Sequence, residues 1–169
     1  MNLPFRLGVS TVIGLLAPVT LVACSSGPHE ITLNFQAKSV DRGTLDLGDK
    51  GSSRGDLVAG NGDLLGEEGQ VIGHFDVVSI VDRLMTDSDG RFLQAEYAFG
   101  PEGVDSFVIL GAEQFAVNGG LPIVNRPASY AVVGGTGAYR GANGQCDVFR
   151  NDDPKKFTTS VSCTLTVTK

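Results

Sequence analysis

The residue of this chain with the clearest chemical potential is Glu113, which lies in the otherwise apolar segment 107–115 (FVILGAEQF). An ionised carboxylate among apolar side chains is costly unless it is compensated. If Glu113 faces a cavity, burial raises its pKa and makes it a candidate acid or base. If it ends a strand, it is an ordinary solvated glutamate, and the sequence leaves both interpretations open.

The sequence offers few residues for other combinations of catalytic side chains. A Ser/His/Asp triad needs a histidine, and His74 is the only one after residue 29. Its position near a predicted strand start is typical of a solvated side chain. The paired acids at 67–68 and 152–153 lie in turn-like segments, where a solvated charge is the usual state. The two histidines are far apart in sequence, and clustered zinc ligands are absent, so no metal site is predicted.

Residues 131–145 (AVVGGTGAYRGANGQ) place five glycines in a strand, turn, strand pattern. The spacing fits neither Gly-x-Gly-x-x-Gly nor a Walker loop. No helical pattern follows that would put a helix N-terminus beside a phosphate. Glycine instead permits the positive φ angles that tight turns need. We therefore interpret this segment as a turn between strands and not as a nucleotide site.

Hydrophobic periodicity predicts β-strands along the chain. Residues 31–38 and 161–168 alternate apolar and polar side chains, as in strands with one buried face. Residues 77–81 and 107–112 are apolar on both faces. Many of the glycines fall in short segments that read as turns, among them 60–62, 89–90, 100–101 and 118–120. No window shows a sustained helical period, so the pattern predicts one all-β domain, an antiparallel barrel or sandwich.

The first 23 residues have the layout of a secretory signal, with Arg6 followed by an interrupted apolar run. Such a run is too short and too broken for a stable membrane span. Residues 21–24 (LVAC) resemble the bacterial lipobox, in which cleavage precedes the cysteine and lipid is attached to it. This resemblance implies lipidation of Cys24, a tether over 24–29, and export to the outward face of a bacterial membrane, at the cell surface or in the periplasm. The alternative is an ordinary signal peptide with an incidental cysteine.

The two remaining cysteines, Cys146 and Cys163, flank the turn cluster 151–156 (NDDPKK) symmetrically. In a hairpin that turns there, they lie directly opposite each other, at a separation that a cross-strand disulfide spans. An even number of cysteines in an exported domain also favours a disulfide. We therefore predict a Cys146–Cys163 bond.

The chain carries a formal net charge of −6 and no basic cluster. This balance argues against nucleic acid as a partner and against electrostatic binding to anionic lipid. The residues that follow the signal suffice for a single domain with a core of its own. We expect the domain to span residues 30–169.

Three segments together resemble plant allene oxide cyclases and dirigent proteins. The first is the glycine-rich segment 131–145, and the second is 55–58 (GDLV), followed after a polar turn by 69–73 (GQVIG). The third is 92–100 (FLQAEYAFG), similar to an aromatic strand that ends in glycine. They cover roughly residues 30–168 in the expected order. The resemblance implies a single antiparallel eight-stranded barrel around an apolar cavity, and a dimer or trimer is possible in such families.

In allene oxide cyclases, a glutamate and an asparagine-bound water on the first strand help to open a fatty-acid epoxide. Placed without gaps on this sequence, the asparagine falls on Asn34 and the glutamate on Thr32. A hydroxyl cannot stabilise a cation as a carboxylate does, so the resemblance does not extend to true allene oxide cyclase activity. A family cysteine falls near Ser79 and a cavity tyrosine near Glu113.

Two functions follow from these observations. The first is a cyclase, isomerase-like or dirigent-like, that needs no cofactor and orients a hydrophobic substrate, such as a polyketide or a lipid-derived chain, for intramolecular cyclisation. The second is a non-catalytic, membrane-anchored lipoprotein that binds a hydrophobic small molecule or serves as an interaction module. For the first, we predict that three catalytic residues face one cavity, namely Asn34, Ser79 and Glu113. Substrate contacts are predicted for five further residues: Thr32, Asn61, Tyr97, Phe99 and Phe107.

Overall fold

The structure, a computed structural model, describes residues 27–116, 123–150 and 158–168, which form a closed barrel of eight antiparallel strands. The strands are β1 (His29–Leu45), β2 (Leu57–Leu65), β3 (Val71–Leu84), β4 (Ser88–Phe99), β5 (Asp105–Ala116), β6 (Pro127–Gly135), β7 (Asn143–Arg150) and β8 (Thr158–Val167). Each strand pairs with its neighbours in sequence, and β1 pairs with β8 to close the barrel. The predicted all-β barrel is confirmed. The proposed signal, residues 1–23, and Cys24 lie outside the described residues.

The period-two patterns of the sequence decide which side chains fill the barrel. On β1, Phe35 and Ala37 are buried inside, whereas Thr32 and Asn34 are exposed on the outer face. Successive side chains of a strand point to opposite faces, so one apolar set faces the interior. The same alternation on β8 buries Val161, Cys163, Leu165 and Val167.

Two glycine-containing segments that the sequence assigns to turns lie within strands. Residues 60–62 belong to β2 and residues 89–90 to β4. A Cβ atom at Gly62 would collide with the backbone carbonyl of Lys38 and with the ring of Phe75. Glycine is therefore needed at Gly62 for close packing inside a strand and not for a turn. The segment 118–120 lies outside the described residues.

One end of the barrel is closed by aromatic rings, and we call it the aromatic end. Phe99 lies 5.5 Å from Phe35, 5.9 Å from Phe107 and 5.3 Å from Tyr139, measured between ring centroids. Tyr139 belongs to a short 3₁₀ turn, Gly137–Tyr139, that follows β6. Edge-to-face and offset packing of this kind adds to the free energy gained by burying the rings. The aromatic end is therefore a solid hydrophobic plug.

The opposite end, where β5 ends and β6 begins, carries buried or half-buried charged side chains, and we call it the polar end. These side chains are Asp56, Asp89, Arg91, Glu113 and Arg150. Between the two ends, Cys146 on β7 and Cys163 on β8 are direct cross-strand partners and form a disulfide. Both cysteines are fully buried. The predicted disulfide is thus confirmed.

The described part of the chain contains no helix with the length and apolar character needed to span a membrane. Nor do its His, Cys, Asp and Glu side chains come together in any group of three that could hold a metal ion.

Candidate functional site in the barrel interior

A small cavity of about 80 Å³ lies inside the barrel towards the polar end. Its lining is mixed, with seven apolar and six polar side chains. The apolar residues are Ala37, Phe75, Val77, Leu93, Ala95, Ile109 and Val148, and the polar ones are Ser39, Tyr97, Glu113, Tyr130, Arg150 and Thr159. A concave, mostly apolar space with a few converging polar groups is the usual form of a small-molecule site.

Glu113 and Tyr130 form the central polar pair of this cavity. Glu113 projects from β5 beside Gly111, and Tyr130 projects from the neighbouring strand β6. A Cβ atom at Gly111 would lie 2.8 Å from Cδ1 of Tyr130, so the glycine makes room for the ring. The phenolic hydroxyl of Tyr130 donates a hydrogen bond to Oε2 of Glu113. The backbone of two adjacent strands therefore fixes the geometry of this pair.

Burial among apolar side chains raises the pKa of Glu113 above the usual value for a glutamate. The hydrogen bond from Tyr130 and the positive charges of Arg150 and Arg126 counteract this shift only in part. Burial, followed by the negative charge of Glu113, also raises the pKa of Tyr130. A carboxyl group with a raised pKa can hold a proton nearer neutral pH, so it can act as a general acid or base.

Arg150 extends from β7 into the same cavity. Its Nε atom is buried and has no hydrogen-bond partner among the described residues. Burial lowers the pKa of Arg150, and the negative charge that Glu113 can carry opposes the shift. A partly desolvated guanidinium group with an unused donor can bind an oxyanion or polarise a carbonyl of a bound molecule.

A second buried network lies close to the polar end. Arg91 on β4 approaches Asp89 with an Nη2–Oδ2 distance of 3.4 Å and lies 5.1 Å from the ring centroid of Phe115. The hydroxyl of Ser52 donates to Asp89 over 2.6 Å. These contacts hold the loop between β1 and β2 against the barrel. Within the part of the chain that the structure describes, Oδ1 of Asp89 and two nitrogens of Arg91 are buried without a hydrogen-bond partner.

The structure places the predicted site residues in different environments. Glu113 and Tyr97 line the cavity. Phe107 is fully buried and belongs with Phe99 to the aromatic end instead of the cavity wall. Ser79 faces the interior and is buried, but it lies between Val58 and Leu93 and does not line the cavity. The structure thus places these five side chains inside the barrel, and of the five only Glu113 and Tyr97 line the cavity.

Three other predicted residues lie on the outer face. Asn34 and Thr32 alternate with the inward-facing Phe35 on β1, and Asn61 is exposed on β2. The expectation that Asn34 shares a cavity with Glu113 is therefore wrong. The gapless placement aligned polar residues of β1 with inward-facing positions of the family pattern, although in this chain they face outwards. A shift of one residue reverses the face of every side chain in a strand.

Sequence reasoning missed Tyr130 and Arg150. The sequence did contain a signal for Arg150. A cross-strand disulfide predicts that Cys146 faces the barrel interior, and residues two and four positions further along the strand share the face of Cys146. Cys146, Val148 and Arg150 are spaced in this way on β7. Tyr130 meets Glu113 only because β5 and β6 are neighbours in the barrel, and no local pattern encodes that contact.

Comparisons with known proteins agree with this architecture. No protein family model and no curated protein sequence matches the chain. Among solved structures, a pterocarpan synthase dirigent protein has a TM-score of 0.64 and 17% identity, with 98% of each chain covered. A pyocyanin demethylase has a TM-score of 0.63 and 17% identity, covering 80% of this chain and 99% of its own.

A third similar structure is the Diels-Alderase AbmU from Streptomyces koyangensis. It has a TM-score of 0.59 and 13% identity, and the match covers 86% of this chain and 72% of AbmU. Likenesses at this level of identity establish a shared fold and leave the chemistry to be argued from the site. The chain thus shares the barrel fold of these structures.

Proposed function

We propose that this protein binds a hydrophobic small molecule inside the barrel and promotes its intramolecular cyclisation. The observation that carries the proposal is the Glu113–Tyr130 pair, a carboxyl group held beside an apolar cavity with its pKa raised. Keeping such a group in a core costs stability, so its presence there indicates use.

In this proposal the barrel contributes mainly orientation. An apolar wall that confines a flexible substrate near its reactive conformer removes much of the entropic cost of ring closure. Glu113 donates a proton to an oxygen of the bound molecule, and Arg150 stabilises negative charge that develops there. Because ring closure of this kind is an isomerisation, the proton returns to Glu113 within the same turnover.

The names of several similar structures support this direction. They include a pterocarpan synthase dirigent protein, the Diels-Alderase AbmU, and a heme-binding cyclase that catalyses a [4 + 2] cycloaddition. All three names describe the making or directed closing of rings. We extend only this general class of reaction to the present chain, and the substrate has to be identified by experiment.

The test begins with native mass spectrometry of the protein isolated from its own envelope. We expect a bound apolar molecule, and incubation of that molecule with wild-type protein should give a product of the same mass and different chromatographic retention. Glu113→Gln should bind the molecule and slow its conversion by about 100-fold, as expected for loss of a general acid. Glu96→Gln is the matched control, because Glu96 is exposed on the outer face of the neighbouring strand.

The possible outcomes separate the two candidate functions. Conversion by wild type and by Glu96→Gln, but not by Glu113→Gln, supports the cyclase. Binding without conversion by all three proteins supports the alternative, a non-catalytic carrier of a hydrophobic ligand. The absence of both binding and conversion contradicts any role for the interior and leaves an interaction module.

We further propose that the barrel is exported and held at a membrane by lipid on Cys24. The support is the sequence alone, with an apolar signal followed by LVAC at residues 21–24. The barrel itself begins at His29, so the proposed tether between lipid and barrel is only a few residues long.

A further inference from the structure

The wall of the barrel is incomplete between β5 and β6. The paired register of these strands runs from Phe107–Gly135 to Leu110–Ala131, although β5 continues to Ala116. In the described residues, the next backbone link between the two sides is the hydrogen bond from the Ile123 amide to the Gln114 carbonyl, 3.3 Å long. Between these two points the described residues of the two strands are not paired through their backbones, and we call this unpaired stretch the β5–β6 window.

A crevice of about 360 Å³ lies outside this window. Outward-facing residues of both strands line it, including Ala112, Gln114 and Ser129. Two inward-facing residues line it as well, namely Ala128 and Glu113. Glu113 also lines the interior cavity, so the two spaces lie on either side of this residue.

Side chains, and not backbone, close the window. On its inner side, Tyr130 donates a hydrogen bond to Glu113. On its outer side, Nη1 of Arg126 donates a hydrogen bond to Oε1 of Gln114, and both residues are among those at the barrel surface. Exposed side chains change rotamer in picoseconds to nanoseconds, whereas opening a paired strand requires local unfolding. Opening the window therefore requires rotation of the exposed Arg126 and of the buried Tyr130, and it breaks no strand pair.

The window also bears on the volume that is available to a ligand. The interior cavity alone is smaller than the roughly 300–1,000 Å³ of sites that hold drug-sized ligands. The crevice has a volume within that range and adjoins the cavity at Glu113. Three arginines and two acidic side chains, Asp82 and Glu113, lie along this path, although the chain as a whole carries a net charge of −6. Arg83 and Arg126 line the crevice beside Asp82, and Arg150 lies within.

We propose that the substrate enters the barrel sideways through the β5–β6 window and that the crevice holds an anionic end of the substrate. The substrate would thus be an elongated molecule, with an apolar part inside and a carboxylate or similar group between Arg83 and Arg126. The substrate class rests on the proposed function, whereas the route of access does not.

The route can be tested without a substrate by labelling a cysteine inside the cavity. Ala95 lines the cavity from β4, a strand paired on both sides, so Ala95→Cys provides an internal thiol. All proteins carry Cys24→Ser, and the native Cys146–Cys163 disulfide does not react with alkylthiosulfonates. Reaction of the folded protein with methyl methanethiosulfonate is then followed by intact mass.

Three substitutions probe the wall. Arg126→Ala removes the outer bridge and should speed labelling of the internal thiol. Ala112→Trp covers the crevice and should slow labelling about tenfold, because side chains gate the proposed route. Gln94→Trp puts the same bulk on the outer face of the continuous β3–β4 wall and should leave the rate unchanged. If Arg126→Ala fails to fold, Gln114→Ala also removes the outer bridge. If Ala112→Trp fails to fold, Ser129→Trp also covers the crevice.

Charge selectivity tests the substrate class in the same assay. The anionic sulfonatoethyl methanethiosulfonate should label the internal thiol faster than the cationic trimethylammonioethyl reagent, and Arg126→Ala should reduce that ratio. Equal rates for the window variants and their parent would show access through the barrel end and overturn the route. Equal rates for the two charged reagents would overturn the anionic class. Neither result depends on turnover, so failure of the proposed cyclisation is recognised separately.

Discussion

Tyr130 on β6 donates its phenolic hydrogen bond to Glu113 on β5, beyond the point at which the backbones of the two strands stop pairing. A side-chain contact thus takes the place of a backbone ladder inside the barrel. Among the described residues, the same contact supplies the hydrogen bond that lowers the pKa of Glu113. The stability of this part of the wall and the acidity of the candidate acid are therefore coupled.

Replacing Tyr130 with phenylalanine should affect both properties. Loss of the donor leaves a buried carboxyl group without its partner, which should lower the free energy of unfolding by about 1–3 kcal/mol. It should also raise the pKa of Glu113 further, which carboxyl NMR can measure. Tyr139→Phe, at the aromatic end, is the control. A Tyr130→Phe protein with unchanged stability and unchanged carboxyl titration would contradict the hydrogen bond.

Glu113→Gln should change how stability depends on pH. Because the pKa of Glu113 is higher in the folded than in the unfolded chain, the unfolded chain loses its proton first as the pH rises. Ionisation of Glu113 therefore lowers the stability of wild type from about pH 4 upwards, until the folded protein also ionises. Glutamine does not titrate, so the variant should gain stability relative to wild type over this interval.

Urea unfolding at a series of pH values measures this difference. Glu96→Gln controls for the loss of one negative charge, because Glu96 lies on the outer face of β4. The same pH dependence in both variants would show that Glu113 has no special environment. A decline of Glu113→Gln relative to wild type with rising pH would reverse the expected sign and contradict the buried position.

Reducing the Cys146–Cys163 disulfide should destabilise the barrel by about 3 kcal/mol in the chain-entropy model, because the bond spans 17 residues of sequence. Both cysteines are fully buried, so mild reductants should leave the bond intact in the folded protein. Intact mass before and after alkylation, with and without denaturant, gives the measurement. Two freely alkylated thiols in native protein would contradict the bond.

Cys24→Ser should abolish lipid-dependent processing. The precursor should either remain uncleaved or be released in soluble form by another peptidase, because the acceptor of the lipid is gone. Fractionation of envelopes followed by intact mass distinguishes these products. Membrane retention of the variant at the processed wild-type mass would contradict the anchor.

The parts of this structure that the sequence predicts are those with a local signature. Alternation over residues 31–38 predicts β1, and the symmetric spacing of Cys146 and Cys163 about a turn cluster predicts their bond. Both signals depend on geometry within one strand or one hairpin. Residues 60–62 were misassigned to a turn because the reason for the glycine lies outside β2. At Gly62, a side chain would collide with Phe75 of the neighbouring strand β3.

The site required information that lies between strands. Whether Glu113 is solvated or buried depends on which side chains of β4 and β6 surround it, and the sequence of β5 alone leaves this open. Tyr130 meets Glu113 through barrel closure, and Arg150 reaches both from β7. Asn34 was placed inside by analogy, although the alternation that buries Phe35 already turns it outwards.

The solid aromatic end has a consequence for orientation. His29, the first residue of the barrel, pairs with Val167 at this same end, next to Tyr139 and its 3₁₀ turn. A lipid on Cys24 would therefore hold the plugged end close to the bilayer. Glu113, Arg150 and the side window would then point away from the membrane, so the barrel would collect its guest from the surrounding fluid and not from the lipid beneath it.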